Sequence, residues 1–297
     1  MTNRISGFLL INKEKDISSH SAINPIKKIY NTKVGHTGTL DPMATGMIVC
    51  AVGQARKFIQ FAQQKARKYY SASIQLGIAT DTGDITGNQI AQSEIKNLNL
   101  DKITTVIQTK FIGTIKQKPP AFSALKYKGK PYYIYARKGK EIPIPERLVN
   151  IDNINSITYD TEQQQIHLET LVSSGTYIRT LAEDIGKSLN TLGCLSALER
   201  VYVEPWKNRK YHQLEEIKRC SDPHSLLIPI EESLDHIKKI HLCEQTVQKL
   251  KHGIRVSDIE NRENTEIMQA NDEKGIFQGI IKIENKKIIP VKMLHEE

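Results

Sequence analysis

The sequence predicts an α+β protein that carries a small β-rich module at its C-terminal end. Three observations carry this prediction. Segments alternating polar and apolar residues are interspersed with segments whose apolar residues recur at helical spacing. The 297 residues are too many for a single minimal core. Beyond about residue 240 the chain breaks into short apolar-rich runs of strand character.

The elements follow in order. Gly7 to Ile11 reads as a short buried strand, and its apolar run is far too short for a signal peptide or a membrane span. Ser18 and Ser19 are candidates to cap a helix in which Ile23, Ile26 and Ile29 recur at helical spacing. A glycine-dense loop follows, Gly35-His36-Thr37-Gly38-Thr39-Leu40-Asp41-Pro42. Thr45 to Val52 is apolar enough for a buried strand or a buried helix, and periodicity does not choose between them. Tyr69 to Leu76 alternates as a half-buried strand does, and Thr80-Asp81-Thr82-Gly83-Asp84 supplies turn residues after it. Later, Ile166 to Val172 reads as a strand and Tyr177 to Leu189 as an amphipathic helix. Around Asp222-Pro223 the chain loosens before another helix. Ile276 to Ile283 and Lys287 to Val291 are then strands of the terminal module. No internal repeat is evident.

Charge and cysteine usage narrow the classes. Lys and Arg number 42 against 33 Asp and Glu, a net charge of +9 that fits a polyanionic partner and fits plain solubility equally well. The distribution is more telling. From Lys116 to Lys140 there are eight basic residues and no acidic one, interleaved with Phe122, Tyr127, Tyr132, Tyr133 and Tyr135. Basic residues suit phosphates and aromatics suit exposed bases, although a solvated basic face with core tyrosines would look the same. The four cysteines (Cys50, Cys194, Cys220, Cys243) are widely spaced without a Cys-x-x-Cys pair. That pattern suggests neither a disulfide framework nor a metal site and fits a reducing, cytoplasmic setting.

Candidate chemistry centres on the glycine loop. Gly35, Gly38 and Gly46 permit tight turns and close approach of a ligand to the backbone. A phosphate-binding loop is poorly matched, because no Gly-Lys-Ser/Thr follows. Asp41 is either a turn cap ahead of Pro42 or a carboxylate nucleophile or base at the mouth of a core. At this point the sequence becomes recognisable. The run from Gly35 to Gly46, continued by Gly53-Gln54-Ala55-Arg56-Lys57-Phe58, resembles the catalytic signature of the TruB family of tRNA pseudouridine synthases. Further family-like segments follow in order: Lys68-Tyr69-Tyr70 before Leu76-Gly77, Thr80-Asp81-Thr82 with Asp84 and Gly87, Lys118 to Lys126, and Ser174-Gly175-Thr176-Tyr177-Ile178-Arg179. The resemblance covers about 200 residues. After Ile240 the chain is more faintly similar to the PUA-type RNA-binding module of that family.

The resemblance implies a catalytic domain over residues 1–238 with a central, largely antiparallel mixed sheet, and an RNA-clamping insert at about 116–148. It implies a PUA-like module over residues 239–297. It implies cofactor-free, metal-free isomerisation of uridine to pseudouridine at position 55, in the T loop of tRNA. Asp41 is then the nucleophile, Arg179 the cation that holds its charge, and Tyr70 the aromatic that stacks on a flipped-out base. Leu198 would pack on the uracil, His36 would fill the gap left by the extruded nucleotide, and Lys57 is a basic position of the motif. Lys126, Lys128, Lys130 and Arg200 would meet phosphates. The partner implied is the T-arm stem-loop, with no membrane and no obligatory protein partner, the enzyme acting as a monomer. Two departures stand out. The usual Lys-Pro-x-Gly-x-Thr/Ser-Ser reads Lys13-Glu14-Lys15-Asp16-Ile17-Ser18-Ser19, and the usual Leu-Arg-Arg reads Leu198-Glu199-Arg200. Rival readings are an RNA chaperone that refolds tRNA without chemistry, and a guide-RNA-dependent synthase. The basic insert favours stand-alone recognition over the second.

Overall fold

The computed structural model describes residues 6–64, 66–258 and 263–295. The chain begins with β1 (Gly7–Lys13), α1 (Ser19–Ile29), β2 (Val34–Thr37) and β3 (Thr45–Val52). A 3₁₀ turn over Gly53–Lys57 leads to α2 (Ile59–Ala62), β4 (Arg67–Leu76), and the short pair β5 (Ile78–Thr80) and β6 (Gln89–Gln92). Then come α3 (Leu100–Phe111), β7 (Gly113–Gln117), the small hairpin β8 (Lys126–Tyr127) and β9 (Lys130–Pro131), and α4 (Tyr132–Ala136). Next are β10 (Arg147–Asp160), β11 (Gln165–Ser173), α5 (Ile178–Ser188), β12 (Gly193–Val203) and α6 (Leu214–Arg219). The remainder is β13 (Lys239–His241), α7 (Glu244–Lys251), β14 (Val256–Ser257), β15 (Thr265–Asn271), β16 (Phe277–Glu284) and β17 (Lys287–Met293).

Eight strands form the main sheet in the order β1-β3-β12-β4-β11-β10-β7, with β2 also paired to β3. Every pairing is antiparallel except β3 with β12, so the sheet is mixed and largely antiparallel, as expected. Thr45 to Val52, ambiguous in sequence, is a strand because it is buried between partners on both sides. Part of the glycine loop is also strand: Val34 to Thr37 pairs with Val52 to Val49. On one face, α1, α3 and α5 close a core around Ile26, Ile48, Ile107, Leu181 and Ile185. Ser18 caps α1 by accepting from the Ser21 amide, whereas Ser19 is turned inward and takes no part in the cap.

The second sheet runs β13-β15-β16-β17-β14, giving the β-rich C-terminal unit. It meets the first through Phe277 and Ile280, which pack with Phe8, Phe58 and Trp206. Burying side chains of this size contributes roughly 1.5–3 kcal/mol each. The seam is also hydrogen-bonded: Gln54 Nε2 donates to the His295 carbonyl at 2.7 Å, and the His295 amide donates to Gln54 Oε1 at 3.0 Å. Among the described residues no helix is long and apolar enough to cross a membrane.

Candidate active site

The loop joining β2 to β3 is fixed from three sides, and Asp41 sits at its apex. The Ser19 hydroxyl accepts from the Leu40 amide at 2.8 Å and donates to the Leu40 carbonyl at 2.9 Å. Lys13, fully buried at the end of β1, donates to the carbonyls of Pro42 (2.9 Å) and Glu14 (2.8 Å). Leu40, Met43 and Ala44 are buried, while the Asp41 side chain stays partly accessible, 33% exposed, beside the exposed Pro42. The return into β3 requires Gly46. Its φ is +99°, and a Cβ there would strike the Arg200 backbone, with the amide nitrogen only 2.8 Å away. This is the place where β3 and β12 pair in parallel, Gly46 opposite Arg200.

Arg179, in the first turn of α5 and 4% exposed, faces that apex. Its Nη2 donates to Asp41 Oδ1 at 3.2 Å, while Nε lies 2.9 Å from Oδ2, close but poorly aligned for a hydrogen bond. The remaining donors reach two carbonyls, Thr82 at 2.7 Å and Phe122 at 2.8 Å, and Asp84 Oδ2 is 3.8 Å from Nε. The turn residues Thr80 to Asp84 therefore serve the arginine. Gly83, at φ +75°, lets the chain fold back so that the Thr82 carbonyl and the Asp84 carboxylate face it.

Electrostatics at the apex are in tension. Burial pushes the Asp41 carboxyl above the usual carboxylate range. Arg179 is the strongest influence pulling it back down, with help from Lys13, while the nearby Asp84 pushes it further up. A fixed cation is what lets a carboxylate stay charged, and hence nucleophilic, in a partly desolvated pocket. Burial likewise brings the Lys13 ammonium down to about 8, opposed by attraction to Asp16 and Asp41.

The remaining predicted residues are distributed around this pair. Tyr70 on β4 and Leu198 on β12 are both nearly buried, with Tyr70 opposite Arg200 and Leu198 opposite Ala72 across the two strands. His36 lies on β2; its buried Nδ1 has no partner, and burial followed by the charge of Arg200 lowers its pKa. Lys57 ends the 3₁₀ turn and donates to Gln54 Oε1 at 2.9 Å, which puts it at the seam with the second sheet. Lys126, Lys128 and Lys130 are exposed on the β8–β9 hairpin. Its two-residue turn, Lys128-Gly129, has both φ angles positive. The root of this insert is tied to α5: Gln117 exchanges two hydrogen bonds with the Tyr177 backbone, and Phe122 holds Arg179.

Arg200 departs from its expected place. It is wholly buried, not on a surface offered to phosphates, since Nε donates to the Met47 carbonyl (2.7 Å) and Nη2 to the Gly38 carbonyl (3.0 Å). The reason lies in the strand: the exposed Glu199 takes the outward position and turns Arg200 inward. Four participants were not singled out from sequence: Lys13, Lys68, the Thr82 carbonyl and Asp84. Lys13, Lys68 and Asp84 did lie inside family-like segments, Lys13 as the lysine that opens the N-terminal signature.

This sheet order, with a helix-borne arginine aimed at a loop carboxylate, can be set beside known proteins. The fold is shared with a chain of the solved Cbf5–Nop10–Gar1 complex at a TM-score of 0.70 and 24% identity, covering 97% of this chain and 84% of that one. Residues 27–178 match the model of the TruB family pseudouridylate synthase N-terminal domain. A tRNA pseudouridine synthase B of Hydrogenovibrio crunogenus (strain DSM 25203 / XCL-2) is 37% identical over 278 residues, spanning 93% of this chain and 89% of the relative. Its counterpart in Vibrio campbellii (strain ATCC BAA-1116) is 33% identical over 306 residues, spanning 98% and 95%. The chain belongs to the TruB family of pseudouridine synthases.

Proposed function

We propose that this protein converts a uridine in the T loop of tRNA, position 55, to pseudouridine, with Asp41 as the nucleophile. The observation that carries the reading is the Asp41–Arg179 pair: a partly accessible carboxylate, raised by burial and held charged by one buried guanidinium. The reaction is an isomerisation and calls for no oxidant. The Asp41 carboxylate forms a covalent bond to the bound nucleotide and the C1′–N1 bond breaks. The uracil then turns and C1′ joins C5. C5 gives up its proton, N1 takes one, and the carboxylate leaves. Tyr70 stacks on the base, Leu198 packs against it, and His36 fills the space that the base vacates.

RNA recognition falls to the cationic surfaces. The hairpin with Lys126, Lys128 and Lys130 reaches for phosphates beside Tyr127 and Tyr133, and an open basic depression of about 570 Å³ lined by Lys27, Lys33 and Arg56 adds a second surface. Residues 1–238 are the catalytic unit, and residues 239–297 are a PUA-like unit that extends the grip on RNA. The names of the relatives, tRNA pseudouridine synthase B, support tRNA as the substrate. The protein acts alone, as a monomer in the cytoplasm.

The test is to incubate purified protein with an unmodified tRNA transcript and map pseudouridine by carbodiimide adducts and reverse-transcription stops. One stop at position 55 without any guide RNA is expected. Binding without any stop would favour the chaperone reading, and a stop that needs an added guide would favour the guided one.

A further inference from the structure

Behind the glycine loop two cations share one space, and among the described residues neither has an acidic side chain in ion-pair range. Gly38 has φ +66°, and a Cβ built on it would lie 3.0 Å from Lys68 Nζ and 3.3 Å from Arg200 Nη1. The glycine thus leaves open a niche toward which both nitrogens point. Arg200 is fully buried, and although Nε and Nη2 are satisfied, Nη1 is buried without a hydrogen-bond partner. Arg200 is the charge that acts on Lys68, and it also presses on the neighbouring Lys13 and His36. Burial, with Arg200 second, lowers the Lys68 ammonium to about 8. Glu199, the nearest acid in sequence, is exposed and interacts with Tyr211 instead. Two close cations, one wholly desolvated, are destabilising unless an anion joins them.

We infer that Lys68 binds a phosphate of the RNA backbone over Gly38, with Arg200 behind it as a fixed positive charge, beside the nucleotide held at Asp41. The inference rests on the reading of the protein as an RNA pseudouridine synthase. Placement supports it. Lys68 and Tyr70 are two apart on β4 and so project from the same face, and Gly38 is three residues before Asp41. A phosphodiester next to the extruded base therefore falls within reach of Lys68 when the base lies on Tyr70. An oxyanion there accepts charge-assisted hydrogen bonds and removes the repulsion between the two cations. Arg200 here is a positioning residue.

The experiment measures binding of a T-arm hairpin as a function of salt for wild type, Lys68→Met and Lys68→Arg. Each is repeated with hairpins carrying a single neutral methylphosphonate at one linkage flanking the target uridine. Lys68→Met should weaken the all-phosphate hairpin about tenfold or more. It should also reduce the slope of log affinity against log salt by about 0.7–0.9, the value of one phosphate contact. One neutral linkage should cost wild type the same factor and cost Lys68→Met nothing further, and Lys68→Arg should restore the slope. Unchanged slope in Lys68→Met, or losses that multiply at every linkage, would overturn the inference. Inhibition by free inorganic phosphate that disappears in Lys68→Met without any linkage dependence would overturn it too, by showing a site for a free ion. Failure of wild type to release tritium from 5-tritiated uridine in the all-phosphate hairpin would sink the functional reading, while the binding cycle would still report on the phosphate.

Discussion

Arg179 and Arg200 are both buried, both close to the loop at 35–46, and differ in how they are surrounded. Arg179 is matched in charge: its Nη1 and Nη2 reach two carbonyls and Asp41, and the Asp41 and more distant Asp84 carboxylates lie beside its Nε, which makes no aligned hydrogen bond of its own. Arg200 braces the loop through the Met47 and Gly38 carbonyls, yet it has Lys68 as a neighbour and an unsatisfied Nη1. A buried guanidinium with its carboxylate is a finished device, one that holds a charge where chemistry needs it. A buried guanidinium beside a second cation carries uncompensated charge, which the inferred phosphate would balance. On the proposed reading, the comparison separates the part of the site that reacts from the part that receives.

The largest expected effect comes from breaking the matched side. Arg179→Met removes the main influence holding Asp41 down, so its carboxyl rises further. Because the reaction needs the ionised form, activity should be lost on the acid side at a higher pH than in wild type, with the maximal rate down by about 10²–10³-fold. The same variant leaves Asp84 without its cation and Asp41 with only Lys13, and urea unfolding should show a loss of about 3–5 kcal/mol. A pH–rate profile whose acid limb stays in place would break the assigned role of Arg179. Next in size, Gly46→Ala forces a Cβ into the Arg200 backbone at a positive φ and should cost about 2–4 kcal/mol in the same measurement.

On the unmatched side the effects are smaller and opposite in sign. The Lys68 pKa is depressed in the fold to about 8, so its charged form weakens the native state below that pH. The penalty fades as pH rises from about 8 toward the ordinary lysine value. Lys68→Met should therefore raise the melting temperature at pH 7, with a smaller gain at pH 9.5. A lower melting temperature at pH 7 would mean that Lys68 already has a partner. The smallest effect is at Asp16, which adopts φ +65°, a conformation where an L side chain costs about 1–2 kcal/mol and glycine costs little. Asp16→Gly should stabilise by about 0.5–1 kcal/mol in urea unfolding, the attraction of Asp16 for Lys13 offsetting part of the gain.

Asp16 also shows how far the sequence could be read. That the usual glycine is missing there was visible; that the position needs the left-handed region was not, because a long-range contact, the Asp16 amide donating to the Pro42 carbonyl at 2.9 Å, helps fix the backbone. The same contrast runs through the fold. Alternating strands such as Tyr69 to Leu76 and the helix after Tyr177 announce themselves by period. β10 and β12 carry bulges that break the alternation, and no strand could be assigned to them from sequence even though β12 is central. At the site, Asp41 and Arg179 are 138 positions apart, so no local signal joins them; the family-like motifs suggested the pair, and the structure gives its distances. Arg200 was read as a surface contact because burial of a charged residue depends on neighbours from β3 and β4 that a linear pattern does not reveal.

The most direct test of the central claim is tritium release from 5-tritiated uridine in a T-arm hairpin, comparing wild type with Asp41→Asn. Forming the C1′–C5 bond requires loss of the C5 proton, so the signal follows the chemistry itself. The account predicts steady release by wild type and a fall of at least about 10³-fold in Asp41→Asn with hairpin binding retained. Release by Asp41→Asn at the wild-type rate would contradict it.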